Sequence, residues 1–75
     1  MLLTVEYNQT GFVEFFMDEE GREALVTLLN RLDVKNRDID HDHLMTPAWA
    51  GDELSEELQN ADNVLINKLN LILVR

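Results

Sequence analysis

The chain has 75 residues, six basic against fifteen acidic side chains for a net charge of −9, and no cysteine. That length fits one domain spanning residues 1–75, and 45% apolar residues suit a folded chain rather than a disordered one. The absent cysteines rule out a disulfide, and the acidic balance repels nucleic-acid phosphates and anionic membrane surfaces while attracting a basic protein.

Leu2 to Tyr7 alternates, with Leu3, Val5 and Tyr7 on one side and Thr4 and Glu6 on the other, as a half-buried strand does. Asn8-Gln9-Thr10-Gly11 is turn chemistry, and Phe12 to Met17 reads as a second strand, which makes a hairpin. Asp18 is a good helix N-cap, and Glu19 and Glu20 suit the positive end of the helix dipole. Ala24, Leu25, Leu28, Leu29 and Leu32 then recur at helical spacing, so residues 19 to 32 are expected to form an amphipathic helix with that stripe in the core. A polar loop follows. Asp38 to Met45 alternates again, with Ile39, His41, His43 and Met45 sharing one face of a third strand.

Thr46-Pro47 ends that strand, and Trp49 and Gly51 fall in a loop. Asp52 is placed to cap a short helix through Leu54, Leu58 and Ala61. Val64 to Val74 is the longest strand, apolar on both faces, which suits either a central strand or one that bends or bulges near Asn67-Lys68. Its span of about 36 Å exceeds a typical strand, so it can overhang its own sheet and pair with another subunit. The fold class is α+β: about four mainly antiparallel strands with one amphipathic helix packed on the sheet, in the order β-β-α-β-β.

No apolar run approaches the roughly 20 residues that span a bilayer, and Met1-Leu2-Leu3 runs straight into polar residues without a signal-peptide pattern. The expected location is the cytoplasm.

Three groups of residues carry chemistry. Asp40-His41-Asp42-His43 puts both imidazoles on one side of a strand, near enough to share a metal ion. Zinc needs three or four ligands, and with no further histidine or cysteine the remainder would be carboxylates such as Asp52, Glu53 or Glu56. The plainer reading is two histidines on a sheet face, hydrogen-bonded to neighbouring carboxylates, with no cofactor. Trp49, between small or rigid neighbours, serves as a plug over the core or as an interface anchor, and as both if the indole is half covered. The runs Asp18 to Glu20 and Asp52 to Glu57 are either solvated faces or a mimic of a phosphate backbone. Catalysis is not expected: there is no cysteine nucleophile, no G-x-S-x-G elbow and no phosphate-cradling glycine loop.

The stretch His41-Asp42-His43-Leu44-Met45-Thr46-Pro47-Ala48-Trp49-Ala50-Gly51-Asp52-Glu53-Leu54, with the hydrophobic strand of residues 64 to 74 after it, resembles the immunity protein 32 family of bacterial polymorphic toxin systems. The resemblance implies a protein that binds and neutralises a cognate toxin made by the same cell. The residues expected to meet such a partner are Asp40, His41, Asp42, His43, Trp49 and Glu53. The alternatives are a small homodimeric structural or adaptor protein joined through the last strand, and a zinc-binding domain using His41 and His43.

Overall fold

The computed structural model describes every residue from Met1 to Arg75. Strand β1 (Leu3–Asn8) pairs antiparallel with β2 (Phe12–Met17), setting Val5 opposite Phe15 and Tyr7 opposite Val13. Gly11 closes the connecting turn at φ 109°, in the region where side chains are rarely tolerated. Helix α1 (Glu19–Arg31) begins where expected, with the Asp18 carboxylate accepting the Gly21 N–H at 2.7 Å. The other oxygen of Asp18 accepts the Leu2 N–H, so a single side chain ties the helix start to the start of β1.

Strand β3 (Ile39–Met45) confirms the third alternating segment. The expected last strand divides into two: β4 (Asn63–Leu65) and β5 (Lys68–Val74), separated at Ile66-Asn67. They belong to different sheets. One sheet has the order β2-β1-β4 and the other is the antiparallel pair β3-β5, giving five strands where about four were expected. The chain bends because two backbone bonds pull it apart there: the Ile66 N–H goes to Val5 of the first sheet, and the Asn67 carbonyl accepts from Thr46 beside the second.

The short helix expected from Asp52 is absent. Residues 52 to 62 hold turns and irregular backbone instead. Their hydrogen bonds go to β1 rather than along a helix: the Ser55 N–H donates to the Leu3 carbonyl, and the N–H groups of Gln59 and Asn60 donate to the Glu6 carboxylate. This segment satisfies the polar face of β1, which is why Thr4 and Glu6 are fully buried rather than exposed as alternation suggests.

The core is small. Leu3, Val5, Leu44 and Leu54 are buried, with Met17, Leu25, Leu28, Ile66, Leu69 and Leu71 packed against them. Leu25 and Leu28 of the helical stripe join this cluster, but Leu29 remains largely exposed. Gly21 is the one fully buried residue of α1, because the backbone of Leu2 lies directly against it. No helix is long and apolar enough to cross a membrane.

Candidate functional site

Residues 46 to 57 form a loop held at both ends. Thr46, fully buried, donates from its hydroxyl to Asn67 Oδ1 at 2.7 Å. At the far end Leu54 is buried in the core, and its N–H donates to the Met45 carbonyl. Between them Pro47–Trp49 makes one turn of 3-10 helix, closed by Ala50 in the left-handed conformation. Gly51 sits so close to Met45 that a Cβ there would collide with the Met45 carbonyl. The Ala48 N–H donates to Glu56 Oε1 at 2.6 Å, fastening the turn to the acidic stretch that follows.

The product is a fixed platform. Trp49 is 55% exposed on it, so the indole is half covered by the protein and half open, an arrangement that accommodates both the plug and the anchor. The acidic residues of the same loop are Asp52, Glu53, Glu56 and Glu57, with no basic residue among them. Glu53 and Asp52 also form one side of a shallow cavity of about 290 Å³, bounded opposite by Met1 and by Leu28 and Arg31 of α1. That volume is at the lower limit for small-molecule pockets, whose usual range begins at about 300 Å³.

The histidines and aspartates of β3 are separated by the strand itself. His41 and His43 are exposed on the outer face, with ring centroids 4.9 Å apart. His43 Nδ1 meets Asn70 Oδ1 at 2.7 Å, a contact in which the ring nitrogen donates and the amide oxygen accepts. No group of three or more histidine, cysteine or carboxylate side chains stands close enough to hold a metal ion, so this pair has no third ligand within the chain.

Asp40 and Asp42 occupy the opposite face, half-buried, and their carboxylates are occupied with backbone. Asp42 accepts the N–H of His43, and Asp40 accepts those of His41 and Asp33. The Asp40 carboxyl is held below its ordinary range first by the Asp33 N–H, and further by the His41 N–H and the Arg37 charge, against a smaller opposing effect of desolvation.

A polar cluster in β1 escaped the sequence reading. Glu6, fully buried, accepts from the Thr4 hydroxyl, the Gln59 and Asn60 N–H groups and the Asn63 side-chain amide. Desolvation alone would raise its pKa; these four donors outweigh it and hold the carboxyl below the ordinary glutamate value. Its only sequence signal was a polar residue on an alternating strand, the commonest pattern for a solvent face.

No protein family, curated protein or solved structure matches this chain. The resemblance to immunity protein 32 thus rests on the residues of 39 to 75 themselves.

Proposed function

We propose that the chain is an immunity-type inhibitor that binds and neutralises a cognate bacterial toxin domain carrying a basic surface. The observation that supports this reading is the 46 to 57 platform, with an exposed tryptophan among four carboxylates on a backbone already fixed by hydrogen bonds. Tryptophan is among the residues that most often dominate binding energy at interfaces, and a pre-ordered loop loses little entropy on docking. Trp49 is the anchor, Glu56 is the carboxylate bonded to its turn, and Glu53 adds negative charge on the same loop for a basic partner. His41 and His43 present a second exposed surface on β3, and Asp40 and Asp42 beside them accept the N–H groups of that strand. The net charge of −9 speeds encounter with a basic partner.

The test begins with the translated neighbours of the gene. A toxin-like domain encoded beside it is expressed with and without this chain. Protection by the wild type and its loss with Trp49→Ala is the expected result. Protection undiminished by Trp49→Ala and Glu53→Lys together would remove the platform from the interface.

A further inference from the structure

The two-stranded sheet β3-β5 has two outer edges, and the chain treats them differently. The bonds Arg75 N–H to Asp38 and Thr46 N–H to Asn67 continue the β3-β5 register at either end. Asp38, Asp40, Asp42 and Leu44 therefore turn their backbone groups toward β5, and Ile39, His41, His43 and Met45 turn theirs to the outer edge of β3. That edge is partly capped. The His41 and His43 N–H groups go to the carboxylates of Asp40 and Asp42, and the Met45 carbonyl to Leu54.

By the same register, Lys68, Asn70, Ile72 and Val74 of β5 turn their backbone outward. β3 is the only strand beside β5, and these four residues make no other backbone hydrogen bond. Ile72 and Val74 along this edge are 56% and 68% exposed. Lys68 and Asn70 make one half of this edge polar, but Ile72 and Val74 leave the other half apolar, and an uncapped edge of that kind is a template for another strand.

Charge singles out the occupant. In residues 33–45 and 68–75, Asp33, Asp38, Asp40 and Asp42 are matched by Lys35, Arg37, Lys68 and Arg75. The ribbon and its leading loop are neutral, so the remaining residues carry the whole net charge of −9. Two copies meeting ribbon to ribbon bring neutral surfaces together and keep their acidic parts away from the seam, which reduces the repulsion between two chains of −9. The overall shape agrees. The radius of gyration is 13.2 Å, against about 11 Å expected for a compact chain of this length. The accessible surface is 5132 Å², roughly 400 Å² above that expected of a compact monomer of this mass.

The geometry points to a homodimer in which β5 of one copy pairs antiparallel with β5 of the other, making a four-stranded sheet β3-β5-β5-β3 about a two-fold axis near Leu71. In that register Asn70 faces Ile72 of the second copy and Lys68 faces Val74, and all four are outward-turned residues. They exchange about eight backbone hydrogen bonds. Leu71 meets its own counterpart across the axis, and Leu69 lies opposite Leu73, continuing the leucine row over the joined sheet. This surface is independent of the Trp49 platform, so toxin binding and dimerisation stand or fall separately.

Sedimentation equilibrium on the purified chain from about 5 to 500 μM is the test, beside Ile72→Pro and Ile72→Lys. Proline at 72 removes an N–H directed at the open edge and no bond within the chain. The expected result is a species of about 17 kDa, twice the 8.7 kDa chain, that both variants convert to monomer with the far-ultraviolet circular dichroism unchanged. Should proline disturb the fold, lysine alone decides. A wild type that remains 8.7 kDa throughout, or a folded Ile72→Lys that still dimerises, overturns the proposal.

Discussion

Asn63 donates from its side-chain amide to Glu6 Oε1 at 3.0 Å, across the two strands β4 and β1. The same amide reaches Glu14 on β2 at 3.1 Å, and Asn8 donates to the Asn63 oxygen at 2.8 Å. One asparagine thus joins all three strands of the first sheet on its polar face. Glu6 collects the loop that covers that face. A carboxylate is the one side chain that accepts four such donors and offers none of its own.

Replacing Glu6 by glutamine removes this acceptor and points an amide N–H₂ at groups that are themselves donors. The expected loss is roughly 2–3 kcal/mol, a large part of the approximately 4–11 kcal/mol available to a domain of this size. Urea denaturation checks it. An unchanged midpoint would mean that water replaces the four donors without cost.

The same carboxylate gives the fold an acid limit. Its pKa is lower folded than unfolded, so its stabilisation is fully present above the unfolded value of about 4.3 and is lost as pH falls through the lower folded value. The melting temperature is expected to be flat with respect to this group near pH 7 and to fall on acidification below about pH 4.5. Asp18 and Asp40, also lowered by backbone N–H donors, act in the same direction. Melting curves of wild type and Glu6→Gln isolate the Glu6 share: the two should converge as the pH drops.

Gly21→Ala is expected to destabilise although alanine is the better helix former by about 1 kcal/mol. The added Cβ collides with the Leu2 carbonyl, and backbone cannot step aside as a side-chain tip does. Overpacking of this kind costs about 1–3 kcal/mol, so the net loss after the helix gain is up to about 2 kcal/mol. Thermal melting gives the sign: a rise would show that α1 lifts from β1 freely.

Trp49→Ala separates binding from folding. The indole is more than half exposed, so stability should move by less than about 1 kcal/mol. Loss of a tryptophan hot spot costs about 2 kcal/mol or more, so affinity for the cognate toxin should fall about 30-fold. Calorimetric titration reads the second quantity and denaturation the first. A large loss of stability with intact binding would return Trp49 to a packing role.

The elements whose reading held are those whose signals are local. The hairpin, α1 with its Asp18 cap, and the alternation of β3 follow from side-chain period and capping chemistry. The interruption of residues 64 to 74 near Asn67 is legible in the polar pair Asn67-Lys68, but the assignment of its halves to two sheets is not, because it depends on Val5 and Thr46, partners distant in sequence that claim the backbone at Ile66 and Asn67. The missing helix after Asp52 has the same origin: tertiary donors to Glu6 and Leu3 outcompete one short helical turn. Of the candidate site, the shared face of His41 and His43 is legible in the alternation, whereas the exposure of Trp49 is set by the tertiary bonds of its loop. That Asp40 and Asp42 spend their oxygens on adjacent N–H groups was not, since alternation fixes a face but not an edge.

Those two aspartates yield the last prediction. Each caps an N–H on the outer edge of β3, and a strand edge without such blocking recruits further strands. If β5 pairs with β5 of a second copy, the joined sheet ends at two β3 edges, and Asp40 and Asp42 stop its growth there. Replacing both by alanine uncaps His41 and His43 and removes two negative charges from the ribbon, leaving it with a net positive charge beside neighbours that remain acidic. Assembly is then expected to continue past the dimer, giving scattering that rises with time and concentration. Asp40→Asn with Asp42→Asn keeps an acceptor oxygen at each position and removes the same charges, so it distinguishes the causes. A soluble asparagine pair beside a growing alanine pair assigns the block to the hydrogen bonds, and growth in both assigns it to charge. A wild-type-sized species in both would show that the β3 edge is closed by its own geometry.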